Sequence, residues 1–560
     1  MAEPNSVWTV DRLAPGTCLF WEGDHFDELS NPIEIRSCSK IEDVRQLLEW
    51  AESGSSAGYV AYEAAPAFDS ALTGFPPSGE LAWFARYEGS RSFSSIAPTQ
   101  FCSISDLELA LTREQYHAKF NEIKRRIRDG DTYQVNLTFR VRARAENLDW
   151  IAWLLCDQPA EYGAIIHTGK RLIVSLSPEL FFQKSGDFIQ CKPMKGTRPI
   201  SSDPEELRQN PKDRAENLMI VDMIRNDLGH LCKPGSIDVS ALFEVQAHRT
   251  VWQMTSTVTG TLERPGVFDA LFPCASVVGA PKVITSAHIT DLEESPRGAY
   301  CGAIGRFFDS DNARFSVGIR TLTIDPETLD FEYGIGSGVV WDSSADDEFD
   351  ECLVKLQALK QPELGLIETL YWCPESGYRN LDRHMARLAR SADELGLACT
   401  NEVPEVAANT PQRVRWLLDR AGQISVNCIE YLSPTQPMGF VLDSVPVCSN
   451  DFRLKHKTTA RSIYDNAEMR HGNGMAVLLQ NERGELTEFT RANLMVEIGG
   501  KRLTPPPSSG LLPGIQREIE LESGCEEKIL FPTDLSRAER VWYLSSLHGR
   551  IEVTKNQPVV

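Results

Sequence analysis

No run of about 18 uncharged apolar residues occurs anywhere in the 560-residue chain, so a membrane-spanning helix is not expected. The opening MAEPNSVWTVDRLAPG lacks a basic start leading into an apolar stretch, which argues against a secretory leader. The 14 cysteines form no CxxC pair and show no ligand spacing with histidine, so neither a structural zinc nor a disulfide framework is predicted. Positive charge is in short supply. With 57 Lys and Arg against 79 Asp and Glu the net charge is -22, which disfavours nonspecific binding to nucleic acid or to anionic membranes. Internal repeats and long low-complexity tracts are missing too, which excludes a repeat array and extended disorder. A soluble, cytoplasmic protein is the expectation.

What is present is enough apolar residue, 42%, for large cores, and a length that favours at least two domains. Short strand-like runs (Ala57 to Tyr62, Leu81 to Tyr87) and a helix over Ile41 to Glu52 precede residue 110. From Thr112 an amphipathic helix is predicted, with Tyr116, Phe120, Ile123 and Ile127 on one face and a stop at Gly130; the strand YQVNLTFRVRAR follows. Between about 160 and 345, β-rich runs such as RLIVSLS, TVWQMTSTVTGTL and ARFSVGIRTLTI are not separated by single helices as βαβ units would be. An α+β fold, a large sandwich of antiparallel sheets, is therefore predicted. The helix DDEFDECLVKLQALK closes this part, and Gln361, Pro362 and Gly365 mark a boundary. The expected domains are 1–362, with its motifs within 110–360, and a smaller α+β unit over 366–560.

Four segments of the first domain bear on its chemistry. KPMKGTRP sets Lys192, Lys195 and Arg198 close together, and crowding of cations is one way to lower a lysine pKa and make a nucleophile. A solvated basic loop is the alternative. DRAENLMIVDMIRNDLG and DEFDEC each place two carboxylates three residues apart on one helix face, Asp213 with Glu216 and Glu348 with Glu351. Four such groups suit the oxygen preference of Mg²⁺; ordinary surface acid, helped by a Glu351 to Lys355 pair, is the other reading. GIGSG, Gly334 to Gly338, lacks the strand-to-helix setting of a dinucleotide loop, but its amides can hold a carboxylate.

In order, SPELFF, KPMKGTRP, KDRAENLMIVDMIRNDLG, RGAYCGAIG, FSVGIRT, GIGSGVVWDS and DEFDEC resemble the chorismate-utilising enzymes over roughly residues 110 to 360. Lys195 at the centre of KPMKGT is similar to the aminodeoxychorismate synthase component I branch, where anthranilate synthases usually carry Ala. The resemblance implies amination of chorismate by ammonia to 4-amino-4-deoxychorismate, a step of folate biosynthesis. It implies Lys195 as nucleophile, Glu179 as general acid and base, Glu216 and Glu351 as Mg²⁺ ligands, and Asp213 and Glu348 behind them through water. Arg320 and the backbone of Gly336, Ser337 and Gly338 are implied to hold the enolpyruvyl carboxylate, with Tyr300 as a neighbour. Val278 and Gln253 depart from the family pattern, which has Thr and often His at these places. No glutaminase triad is legible, so a separate glutamine amidotransferase subunit, or free ammonia, is implied as the nitrogen source.

In the last third, Lys457 sits in HKTTARSIYD, Glu488 and Asn493 in GELTEFTRANLMVEI, and Gly514 precedes a helix start suited to phosphate. Each is as readily an exposed turn or a plain helix start. Together with ETL, LDRHMARLARSADELG and LLPGIQR they resemble the class IV aminotransferases, specifically aminodeoxychorismate lyase. That implies pyridoxal 5'-phosphate on Lys457, Glu488 at the pyridine nitrogen, and Arg387, Ile515, Gln516 and Ser546 about the phosphate, giving 4-aminobenzoate and pyruvate. The ending SSLHG departs from the usual N-S-x-R-G at Ser545 and His548, so a degenerate domain, or an anthranilate synthase-type enzyme with an inactive tail, stands as the alternative.

Overall fold

The strand from Gln134 to Arg144 buries its first eight residues and frays only at Arg142 to Arg144, the pattern of a strand covered on both faces. It belongs to one of two ten-stranded sheets found among the described residues, and pairs antiparallel with Asp330–Val339 along its length. The computed structural model describes residues 6–157, 160–200, 202–247, 251–359, 364–433, 438–472 and 475–555; Gln361 and Pro362 of the expected boundary lie outside them. Cys18, Phe20, Ile166 and Ile173 of one sheet pack with Tyr59, Trp83, Ala85 and Ile304 of the other, which makes a face-to-face sandwich. Phe182, Phe268, Phe307 and Phe315 add a cluster of ring contacts at 4.9 to 5.4 Å, each pair worth roughly 0.5 to 1.5 kcal/mol beyond its burial. The α+β antiparallel sandwich expected from the sequence is thus observed.

The helix Ile41–Glu52 has the predicted bounds. Arg113–Arg128 starts at a capping box, in which Thr112 accepts from the Gln115 amide and Gln115 reaches back to the Thr112 amide. The run ARFSVGIRTLTI is not one strand. Asn312–Val317 lies in one sheet and Thr321–Ile324 in the other, and the chain crosses between them with Arg320 at φ 50°. A second crossing joins Leu172–Ser177 to Leu180–Ser185. No helix of the described residues is long and apolar enough to cross a membrane.

Contacts divide the described chain into two units, residues 11–92 with 103–359, and residues 364–555 with 6–10 and 93–102. The two N-terminal pieces join the second unit because Val7–Trp8 pairs with Ser95–Ile96 and Phe101 packs its ring 6.2 Å from Phe452. That differs from a single cut near residue 362. In the second unit, Leu388 and Ala392 of the helix Leu381–Glu394 pack on Leu366 and Leu418 of a four-stranded sheet. An eight-stranded mixed sheet forms around Phe440, Leu478, Phe489 and Leu494.

Candidate functional site

In the first unit the two crossings deliver two of the expected side chains. The amide of Val317 donates to the carbonyl of Glu179 (3.1 Å), and the amide of Leu176 donates to that of Arg320 (3.0 Å), so each crossing braces the other. Glu179 is 2% exposed and its Oε1 has no hydrogen-bond partner. Burial pushes its carboxyl up to about 7, opposed by Ser276, Lys195 and the Met194 backbone. The Arg320 guanidinium has no hydrogen-bonded or charged partner among the described residues, and burial lowers its pKa. An unpaired, largely desolvated guanidinium is suited to a carboxylate.

Lys195 lies on the strand Met194–Pro199 with its Nζ 3.8 Å from Glu216 Oε2. The expected crowding of cations is not observed. Lys192 ends the preceding strand, Phe188–Lys192, and goes to Glu161 (3.5 Å); Arg198 goes to Asp213 (2.8 Å), on the same helix as Glu216, because an irregularity in the strand between Met194 and Thr197 breaks the alternation that would send Lys195 and Arg198 to opposite faces. Gly338 makes room for Lys195, since a Cβ there would stand 3.0 Å from Nζ and 3.1 Å from Gln134 Nε2. Gln134 is fully buried and neither atom of its amide has a partner. Sequence reading missed it, as a lone Gln in an apolar strand carries no signal of its own.

GIGSG is the interior of the strand Asp330–Val339, not a loop. Pairing with Thr321–Ile324 stops at Tyr333, and the Gly336 carbonyl accepts from Lys355 Nζ (2.5 Å), so alternate backbone groups beyond Tyr333 face away from the sheet. The Ser337 side chain points elsewhere, bonded to Tyr116 Oη at 2.8 Å, which leaves only its backbone for a ligand. Tyr300 lies flat on Gly334, where a Cβ would be 2.2 Å from the ring, and Arg140 covers it at 5.1 Å. Of the two departures, Val278 is fully buried, and Gln253 is 1% exposed with both amide atoms unpartnered.

The helices Pro211–Leu228 and Ala345–Lys355 carry the four expected carboxylates. Each meets a cation: Asp213 with Arg198, Glu216 with Lys195, Glu348 with Lys212 at 3.3 Å, and Glu351 with Lys355 at 2.9 Å. Burial raises Asp213 and Glu216 above the usual carboxyl range, while Lys355 holds Glu351 below it. Glu348 and Glu351 both raise Glu216 further, so the four share one field. The donor set is all carboxylate oxygen, which fits Mg²⁺. Among the described residues no three His, Cys, Asp or Glu side chains are gathered closely enough to hold a metal ion as they stand.

In the second unit, the amide of Ile367 donates to the carbonyl of Lys457 (2.7 Å), which ties the lysine to the strand Leu366–Cys373. Burial, then Arg387, lowers Lys457 to about 7. Glu488 accepts from Tyr464 Oη (2.9 Å), the Leu512 amide (3.1 Å) and Asn493 Nδ2 (3.0 Å), yet burial pushes it up to about 8. Arg387 is not free: its Nε and Nη2 fork onto Glu368 at 2.9 and 2.6 Å. Glu368 also takes His384 Nδ1 at 2.6 Å, and His384 Nε2 lies 2.7 Å from Ser546 Oγ. Sequence reading missed Glu368 and His384 as partners, although an acid inside the apolar run LIETLYW was a signal. Ile515 and Gln516 open the helix Ile515–Glu522, whose N-cap Gly514 supplies no side-chain cap, so its first amides are available to an anion. A Cβ at Gly514 would stand 1.9 Å from Asn493 Oδ1. His548 bonds Tyr431 Oη at 3.2 Å.

Residues 94–361 match the family described as chorismate binding enzyme, and residues 365–555 the family described as amino-transferase class IV. Aminodeoxychorismate synthase of Streptomyces pristinaespiralis is 42% identical over 289 residues, 48% of this chain and 40% of that protein. Aminodeoxychorismate synthase component 1 of Escherichia coli (strain K12) is 38% identical over 278 residues, 47% of this chain and 61% of that protein. The chain thus spans less than two thirds of the length of either. The crystal structure of anthranilate synthase component I from Streptococcus pneumoniae TIGR4 covers 62% of this chain and 91% of its own, with a TM-score of 0.50 and 21% identity, a likeness of fold. The chain belongs to the chorismate binding enzymes over residues 94–361 and to the class IV amino-transferases over residues 365–555.

Proposed function

We propose that the first unit converts chorismate and ammonia to 4-amino-4-deoxychorismate and water, and that the class IV unit cleaves this product to 4-aminobenzoate and pyruvate, on the way to folate. The observation that carries the first step is Lys195 Nζ over the face of Gly338, in the space that its missing side chain leaves, within the field of a buried Glu179 whose carboxyl titrates near 7. In the neutral amine form, Lys195 adds at C2 of the ring as the C4 hydroxyl departs, and protonated Glu179 gives that oxygen its proton so that water leaves. Ammonia then attacks C4, the C2–N bond breaks, and Lys195 is restored. Arg320 and the free amides of the Gly336 to Gly338 edge hold the enolpyruvyl carboxylate.

Glu216 and Glu351 would hold Mg²⁺, with Asp213 and Glu348 behind them; the ion supplies positive charge against the ring carboxylate. Ammonia comes from a glutamine amidotransferase subunit, or from solution. In the class IV unit, pyridoxal phosphate when bound supplies an electron sink. Lys457, half-neutral near pH 7, moves the proton at the ring; Glu488 is positioned for the pyridine nitrogen; Ser546 and the amides of Ile515 and Gln516 receive phosphate. We place the protein in the cytoplasm, where its free thiols stay reduced.

Incubation of the full chain with chorismate, Mg²⁺ and ammonium, followed by product identification, tests this. The expected products are 4-amino-4-deoxychorismate and 4-aminobenzoate. Anthranilate would assign the first unit to the other branch, and an unprocessed aminated product that only an added lyase converts would mark the second unit as inactive.

A further inference from the structure

Lys212 occupies a place among the carboxylates that the other three cations do not. Among the described residues it is the cation within 4.0 Å of acids on both helices, 3.3 Å from Glu348 Oε1 and 4.0 Å from Glu216 Oε1, the latter one turn along its own helix. Glu348 is 3% exposed and its Oε1 also accepts from Ser343 Oγ at 2.6 Å, while the Glu216 side chain is 15% exposed. Helix and hydrogen bond therefore fix the acids. The Lys212 side chain is 44% exposed, and its flexible four-carbon stem lets the ammonium retreat into water without moving the helix. Lys355 lacks this freedom, being bonded to both Glu351 and the Gly336 carbonyl.

Glu216 also meets Lys195, 3.8 Å from its Oε2, whereas Glu348 has Lys212 within 4.0 Å among the described residues, so the two largely buried carboxylates are held by monovalent charges that a divalent ion can replace. We propose that Lys212 is a displaceable counter-ion: it holds Glu216 and Glu348 in the absence of metal, withdraws when a divalent cation enters, and so sets the affinity of that site by competition. This rests on reading the four carboxylates as the metal site. It accounts for the ungathered state of the acids, each of which has a cation of its own.

The test uses Mn²⁺ titrated into the full chain without substrate, followed by the electron paramagnetic resonance signal of the free ion. Lys212→Met keeps the stem and removes the charge. Even at the dielectric of water, the attraction of Lys212 for one carboxylate about 4 Å away is worth about five-fold in affinity, so removing this competitor by Lys212→Met tightens Mn²⁺ binding at least about five-fold. Lys212→Arg, which keeps the charge, stays within about two-fold of the wild type on the same reasoning. Circular dichroism of each variant verifies that it is folded. Equal or weaker Mn²⁺ binding by Lys212→Met overturns the counter-ion proposal and leaves the metal site standing. If neither Glu216→Gln nor Glu351→Gln weakens Mn²⁺ binding, the metal site falls and the proposal with it.

Discussion

Glu368 receives Arg387 in a two-point fork, Nε to Oε1 at 2.9 Å and Nη2 to Oε2 at 2.6 Å, in a place where both side chains are nearly out of solvent. Burial alone would raise the acid, but Arg387 and His384 override it and hold Glu368 well below the usual carboxyl range. A depressed carboxyl stabilises the fold above its unfolded pKa, near 4.5, and that contribution drains away as the pH falls below it. Glu368→Gln should cost about 3 to 5 kcal/mol at pH 7, the usual consequence of stranding a buried cation. Urea unfolding of both proteins at pH 7 and in acid checks this; a loss under about 1 kcal/mol at pH 7 would show the fork to be dispensable.

Lys195→Ala should reduce formation of 4-amino-4-deoxychorismate by a factor on the order of 10³ or more, since it removes the amine that stands 3.0 Å from where a Cβ on Gly338 would be. Mn²⁺ binding should persist. Product analysis by liquid chromatography decides the first point, and near-normal turnover would remove Lys195 from the nucleophile's role.

Glu179 couples activity to stability. As the proton donor it works below about pH 7, so kcat/KM should fall as the pH rises through that value. A raised carboxyl pKa stabilises the fold in acid relative to alkali, and stability is lost as the pH climbs from the unfolded value of 4.5 toward 7. Glu179→Gln should therefore lower kcat by roughly 10²- to 10⁴-fold. It should also gain up to about 3 kcal/mol of stability at pH 8 relative to pH 4. Unchanged kcat would falsify the acid assignment, whatever the stability.

Lys457→Ala should end release of 4-aminobenzoate and let the aminated intermediate accumulate at an undiminished rate. In the wild type, uptake of pyridoxal phosphate, followed by visible absorbance, should quicken as the pH rises through about 7, where burial has placed the amine. Uptake that quickens only near pH 10 would mean that Lys457 is solvated.

Much of the fold was legible because its signals are local. The helix over Ile41 to Glu52 and the one that begins after Thr112 follow from periodicity. The break in ARFSVGIRTLTI was not legible: the alternating apolar residues Ala313, Phe315 and Val317 before Gly318 to Arg320, and Leu322 and Ile324 after, read as one strand, and only the presence of two sheets makes them two. For the same reason the sequence placed Glu179 and Arg320 in separate motifs, whereas the paired crossings put each beside the backbone that braces the other.

The sequence by itself determined which chemical groups the protein has and the order in which they occur: an amine at position 195, four acids on two helices, and Lys457 and Glu488 in the last third. Tertiary structure decided which cation answers which acid. Lys192 goes to Glu161, Arg198 to Asp213, Lys212 to Glu348 and Arg387 to Glu368. Helical and strand periods specify faces within one element, but an ion pair between elements depends on how they are registered and packed, and short-range patterns do not encode that.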